Sequence, residues 1–288
     1  MHKKQVSIFI PDSFLSETSD LKIKTSKIGV IGRALALFKI DQIVIYKDLS
    51  QNDDKYVTDA DFMADVLGYM DTPQYLRKKV FPIRSELKHV GILPPLRTPH
   101  HPTESDLKVG DYRQGFTVKR NKKGTYIDIG MKSDSGMKGM ENLAFCKEQL
   151  SVNKVFSFRV TKLAKEVIVT PDEPDDVYWG YKTLSTHKSL KNSLKLVNPD
   201  FVVETTRYAD TINSIFNEFE EKLDKADNIA IVFGGPYSSI SEDLSGFSWD
   251  LVKLNTIPSQ GTETVRTEEA VISTLSIINM LLNFCWWN

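Results

Sequence analysis

The 288-residue chain is long enough for two domains, and with 41% hydrophobic and 26% charged residues it has the composition of a folded protein, which excludes a disordered one. Its formal net charge of −1 conceals two opposed segments: residues 105–168 carry 13 Lys+Arg against 7 Asp+Glu, and residues 196–288 carry 5 against 14. Two cysteines, Cys146 and Cys285, in no Cys-x-x-Cys or Cys/His spacing, exclude a disulfide framework and a zinc site. They point instead to a reducing interior, the cytoplasm or, in a eukaryote, the nucleus or nucleolus. The basic segment suits a polyanion, whereas the carboxylates of the acidic one mostly solvate helix faces. The first ten residues hold too short an apolar run for a secretory signal.

Val6–Ile10 reads as a buried strand closed by Pro11, and a helix is expected to start near Thr25 or Ser26, with Ile28, Ile31, Leu35 and Phe38 at helical spacing. Ile43–Tyr46 supplies a second strand, so the chain opens with a β-α-β unit whose strands are parallel. A helix over about 60–70 follows, and Thr72-Pro73 then reads as the cap and first turn of a helix bearing Arg77, Lys78 and Lys79. Four prolines between Leu93 and Pro102 mark a linker. Beyond it, alternating runs at Gly115–Lys119, Thr125–Ile129, Val155–Val160 and Glu166–Val169 predict a small barrel of about five strands.

After Pro171–Pro174, strands and helices alternate again. Strands are expected at Phe201–Val203, Ile229–Phe233 and Leu251–Leu254, an amphipathic helix over 211–223, and a last helix beginning near Thr264–Thr267. Neither α/β segment is large enough to close its own sheet, so 1–92 and 170–288 are expected to form one domain interrupted by a barrel domain at 93–169. Val271–Trp287 is uncharged over 17 residues, but it lacks basic flanks; a buried or interface helix is expected there and no membrane span.

Two loops carry the chemistry. Phe233-Gly234-Gly235-Pro236 leaves a strongly apolar strand, and its glycines either let a ligand approach the backbone at the sheet's carboxyl edge or simply make a tight turn. Leu254–Ala270 is a polar loop before an apolar helix. Its hydroxyls and amides can hold a nucleotide-like ligand, while Thr264 or Thr267 caps the helix and Glu268 and Glu269 suit its first turn. Neither the P-loop nor the dinucleotide glycine pattern occurs. His89, His100 and His101 lack a third and fourth ligand, so no metal is expected.

The stretch Ile257-Pro258-Ser259-Gln260-Gly261-Thr262-Glu263-Thr264-Val265-Arg266-Thr267-Glu268-Glu269-Ala270 resembles the carboxyl-terminal signature of the SPOUT methyltransferases. It is most similar to the branch that methylates N3 of uridine in ribosomal RNA. Ile8-Phe9-Ile10-Pro11, Gly32-Arg33-Ala34, Pro73–Lys78, Pro95–His101 and Tyr178-Trp179-Gly180-Tyr181 resemble, in the same order, the SPOUT subfamily with an inserted oligonucleotide-binding (OB-fold) barrel. The likeness spans nearly the whole chain.

The resemblance implies an α/β fold with a trefoil-knotted parallel sheet, helices on both faces, and S-adenosylmethionine held by three loops. Carried over, these are Glu204, Thr205 and Thr206; Gly234, Gly235 and Pro236; and Asn255, Ile257, Pro258, Gln260, Gly261, Thr262 and Thr264, the last loop threaded through the knot. It also implies a homodimer that buries Ile277, Ile278, Leu281 and Leu282 of the final helix. Arg33 falls at the family's catalytic arginine position, reaching the partner's cofactor and favouring the uridine anion. RNA would be held by Arg77, Lys78, Lys79, Arg84, Arg97, His100 and His101 and by the barrel's Arg113, Lys119, Arg120, Lys122 and Lys123, with Tyr112, Phe116 and Tyr126 available to stack.

The chain departs from the family twice. Thr205-Thr206-Arg207-Tyr208-Ala209 stands where relatives have Thr-Ser-Glu-Arg-Gly, and Tyr237-Ser238-Ser239 where a further glycine is expected. Beside an RNA methyltransferase, this leaves open a catalytically inert RNA-binding or ribosome-assembly factor and, as a third class, a nucleotide-binding regulator.

Overall fold

The computed structural model describes residues 4–50, 55–102, 107–131, 142–236, 240, 242, 244, 245 and 247–284. In chain order its elements are β1 Gln5–Pro11, α1 Leu21–Leu37, β2 Gln42–Lys47, α2 Lys55–Asp71, α3 Gln74–Val80, β3 Tyr112–Asn121, β4 Gly124–Asp128, β5 Ala144–Cys146, β6 Val155–Lys162, β7 Ile168–Pro171, β8 Lys182–Ser189, α4 Leu190–Val197, β9 Phe201–Thr205, α5 Phe216–Lys225, β10 Asn228–Val232, β11 Asp250–Leu254 and α6 Thr267–Phe284. Two compact units result. One is Met1–Gly68, His89–Pro94 and Tyr181–Asn288; the other is Tyr69–Lys88 and Pro95–Gly180.

The first unit holds a six-stranded sheet in the order β11-β9-β10-β1-β2-β8, and every neighbouring pair is parallel. Its central strands are near-continuous apolar runs because both faces are covered. Leu190 and Leu194 of α4 pack with Phe9, Val44, Val202 and Val232 on one face. Phe201 points the other way, as its neighbour in a strand must, and meets Phe219 of α5 with ring centroids 5.8 Å apart.

The element boundaries correct several expectations. Helix α1 starts at Leu21 rather than near Thr25, because the Asp20 carboxylate accepts a hydrogen bond from the Ile23 amide at 2.9 Å and caps it. The position of Thr72 as a cap does not hold: Pro73 is the N-cap of α3, with no side-chain bond. The helix expected over 211–223 begins only at Phe216, since Thr211 forms a bridge to Asn255 and the Ser214 amide closes a turn onto the Thr211 carbonyl at 2.9 Å.

Strand β8 and helix α4 are not among the expected elements, although Leu190, Leu194 and Val197 of the helix recur at helical spacing behind a Ser189 cap. The strand is an edge, Lys-Thr-Leu-Ser-Thr-His-Lys-Ser, paired only with β2, and so carries little apolar patterning. The helix is held at its start by Glu242, whose carboxylate accepts from the Leu190 amide at 2.7 Å and the Lys191 amide at 3.3 Å. Among the described residues no helix is long and apolar enough to cross a membrane.

The second unit is a closed barrel, β3-β4-β5-β7-β6. Ile127, Ile129, Ala144, Cys146, Phe158, Val160 and Val169 fill it. Gly115 in β3 is needed for close packing, as a Cβ there would lie 2.5 Å from Ile127 Cγ2. Helix α3 belongs to this unit: the Tyr75 hydroxyl donates to the Gln114 carbonyl at 2.7 Å.

His100 is fully buried, with Nε2 2.8 Å from the Asp71 carbonyl oxygen, and His101 Nε2 lies 2.7 Å from the same oxygen. Burial, reinforced by its neighbour His100, pushes the His101 imidazole down to about 4. The unfolded chain therefore binds the extra proton first. Stability from neutral His101 is complete above the ordinary imidazole value of about 6.5 and is lost as the pH falls toward 4. Thermal unfolding should lose on the order of 2 kcal/mol across that window, and His101→Gln should flatten the slope; an equal slope in the variant would assign the acid sensitivity elsewhere.

Candidate functional site

Strands β11, β9 and β10 are adjacent and parallel, so their carboxyl ends open on one edge of the sheet, with Leu254 beside Thr205 and Val232 beside Glu204. Hydrogen bonds then stitch the three outgoing loops together. The Thr206 amide donates to the Leu254 carbonyl at 3.0 Å and the Asn255 amide to the Asp210 carbonyl at 2.9 Å. The Thr205 hydroxyl donates to the Val232 carbonyl at 2.8 Å, and the Thr267 hydroxyl to the Gly234 carbonyl at 3.3 Å. Asn255 serves two loops at once, its amide nitrogen donating to the Arg207 carbonyl at 3.1 Å and its oxygen accepting from the Ile257 amide at 3.0 Å.

Phe233 anchors the glycine loop. Its amide donates to the Phe9 carbonyl at 2.9 Å, and its carbonyl accepts from the Tyr46 hydroxyl at 2.8 Å. Complete burial, with Asp48 and other carboxylates nearby, holds the Tyr46 phenol well above its ordinary range, so it stays a neutral donor.

Beneath these loops lies a cavity of about 550 Å³. It gathers Thr205, Thr206, Gly234, Gly235, Pro236, Asn255, Ile257, Gln260 and Thr264 from the expected set. It also takes in Phe233, Leu254, Thr256, Val265, Thr267 and Ala270 from the two loops singled out in the sequence, and Arg207, Tyr208 and Ile240, which sequence reasoning did not assign to the site. Arg207 and Tyr208 follow directly on Thr205-Thr206, and that adjacency is the signal that could have found them. Apolar walls beside a few hydroxyls and amides make the surface of a small-molecule site.

Other expected residues lie elsewhere. Glu204 lines a neighbouring cavity of about 750 Å³; one carboxylate oxygen is 3.1 Å from Lys253 Nζ, and the other is buried without a partner. Pro258, Gly261 and Thr262 are exposed parts of the third loop that do not line the 550 Å³ cavity. Arg33 is half-buried in a separate groove of about 370 Å³ along α1, with Leu93 and Ile272 of α6. Tyr237-Ser238-Ser239 lies outside the described residues.

All the basic residues proposed from sequence to hold RNA fall in the barrel unit. Lys78, Arg84, Arg97, Lys119, Arg120, Lys122 and Lys123 are exposed. Lys79 is paired with Asp128, and Arg113 is buried. Arg77 donates through Nε to the Thr72 carbonyl at 2.9 Å and lies over the Tyr69 ring at 4.5 Å. Lys119 sits over the Tyr126 ring at 5.2 Å, and that ring lies 5.2 Å from Phe145, which makes a basic and aromatic face on β3, β4 and β5. Among the described residues no group of three His, Cys, Asp or Glu side chains is placed to hold a metal ion.

Residues 5–278 match the model of a family described as "Putative RNA methyltransferase". The chain belongs to this RNA methyltransferase family. An uncharacterized protein of Halobacterium salinarum is 29% identical, covering 95% of this chain and 98% of its own. The 28S rRNA (uridine-N(3))-methyltransferase of Drosophila melanogaster is 27% identical over 95% of this chain and 61% of its own length, and the Homo sapiens protein of the same name is 26% identical over 95% and 77%.

Asn255→Ala removes one hydrogen bond between loops and one within its own loop and should cost about 1–2 kcal/mol, seen as a lower denaturant midpoint at unchanged slope. An unchanged midpoint would mean that the backbone bonds alone hold the cavity.

Proposed function

We propose that this RNA methyltransferase carries a methyl group from S-adenosylmethionine to N3 of a uridine in ribosomal RNA. The reading is supported above all by the convergence of three loops, from three adjacent parallel strands, on one cavity. Relatives named for that reaction add weight over most of the chain's length. The cavity's 550 Å³ falls in the range of about 300–1,000 Å³ typical of small-molecule sites. Phe233, Leu254, Ile257 and Val265 offer an apolar slot for an adenine, and the hydroxyls of Thr205, Thr206 and Thr264 suit a ribose. When bound, the cofactor supplies an electrophilic methyl group on a sulfonium centre.

The chain's own task is to hold the base in line with that methyl and to favour loss of the N3 proton. We assign Arg33 as the cation that favours the resulting anion. Val30 and Leu37 of α1 and Ile272 of α6 are exposed along its groove, with Ile23 and Met280 exposed on the same two helices, whereas Ile278 and Leu281, expected at a dimer interface, are buried within the protomer. Such a face suits burial by a second copy of the chain, and a homodimer would bring Arg33 of one protomer to the cavity of its partner. On the sequence likeness we also assign the third loop as the threaded segment of a SPOUT knot and the barrel as an OB-fold module that holds the RNA.

Nucleoside mass spectrometry of ribosomal RNA from cells lacking the protein should show loss of 3-methyluridine, restored by the wild type and not by Gly235→Trp, which fills the cavity. Restoration by that variant would move the cofactor elsewhere. Arg33→Ala should lower kcat by about 10²- to 10³-fold with cofactor affinity by calorimetry within about twofold; undiminished methyl transfer would clear Arg33 of its role.

A further inference from the structure

Tyr208 is 76% exposed, more than any other aromatic side chain among the described residues, yet it is held in place. One guanidinium nitrogen of Arg207 donates to its hydroxyl at 2.5 Å, and the guanidinium carbon lies 4.7 Å from its ring centroid. The other terminal nitrogen of Arg207 donates to the Glu263 carbonyl at 2.6 Å, on the loop after β11. The Arg207 carbonyl is itself held by Asn255. One face of the ring is thus covered by a cation tied to two loops, and the exposed remainder of the ring is held by the same ties. Its position is equally specific. Thr206, Tyr208 and Ile240 line both the 550 Å³ cavity and the 750 Å³ cavity beside it, so the ring stands on the rim between them.

We propose that the open face of Tyr208 receives the extruded target pyrimidine of the RNA and stacks it at the mouth of the cofactor cavity. This rests on the reading of the cavity as the cofactor site of an RNA methyltransferase. An atom on the Watson–Crick edge is inaccessible in paired RNA, so its base must leave the stack and lose the contacts it had there. An aromatic ring at the destination returns stacking to the base without reading its sequence. Because Arg207 already fixes the ring, little rotamer freedom is lost on docking. The guanidinium on the far side also draws on the ring's electron density and fixes which face remains open. The pair Arg207-Tyr208 is one of the two places where this chain departs from the pattern of the family it resembles, and the proposal gives that departure a positive role.

The test uses the full-length enzyme and a single-stranded oligouridine carrying 4-thiouridine, irradiated and mapped by mass spectrometry. The crosslink is expected on the peptide bearing Tyr208, to fall at least tenfold in Tyr208→Ala, and to return in Tyr208→Phe, which keeps the ring and drops only the hydroxyl. Tyr208 also lines the cavity, so cofactor affinity, measured by calorimetry in parallel, should fall in Tyr208→Ala by a much smaller factor than the crosslink. A crosslink undiminished in Tyr208→Ala, or equally lost in Tyr208→Phe, overturns the proposal. So does a cofactor affinity that falls in step with the crosslink, since Tyr208 would then serve the cavity alone and not the base. A wild-type enzyme that crosslinks at Tyr208 without binding the sulfonium nucleoside would instead refute the functional reading and leave the stacking role standing.

Discussion

Parallel pairing among β11, β9 and β10 is the constraint on which the site depends. In an antiparallel sheet, neighbouring strands end on opposite edges, and three successive outgoing loops could not meet. Here the ends are also in register, so the Thr205 hydroxyl reaches the Val232 carbonyl and Asn255 reaches the loop after β9. A slip of one residue in β9 would turn Thr205 to the other face and exchange it with Glu204. The ladder therefore fixes the side chains presented to a ligand as well as the position of the loops.

The placement of the cavity differs from that of an ordinary doubly wound sheet. The chain leaving β10 leads to β11 and the chain leaving β1 leads to β2, so the connections diverge at the border between β10 and β1. Open α/β sheets usually bind their ligands at such a point. In this enzyme that border is spanned by Phe233, bonded to the Phe9 carbonyl and to the Tyr46 hydroxyl, and the cavity is walled by loops on the β11 side. The buried, neutral tyrosine thus acts on the site from β2, a strand that contributes nothing to its lining.

The sheet's inner strands were legible because burial on both faces leaves an unbroken apolar run, as in Ile8–Ile10 and Ile229–Val232. The glycine loop and the polar loop were legible for a related reason: each interrupts such a run with residues that cannot belong to a core. Strand β8 was not, since an edge strand can be polar and still pair through its backbone. Helix α5 was placed too early because the periodicity of Ile212 and Ile215 continues into Phe216 and Phe219; a bridge between Thr211 and Asn255, forty-four positions apart, cannot be read from local pattern. Arg207 and Tyr208 looked like a defect in a motif. Their contact with each other and with Glu263 exists only once the loops have folded together.

The strand order also sets a timetable for synthesis. All five barrel strands lie between Tyr112 and Pro171, so the barrel can close on residues adjacent in the chain. The sheet has no such freedom: Val6 must wait for Ile229, and β9 for β11. Pairings of such long range are slow and leave apolar faces uncovered in the interim. On a ribosome the barrel can therefore be closed while β1, α1 and β2 still lack β10. A nascent chain of this protein thus completes one unit well before the cavity at the ends of β9, β10 and β11 exists.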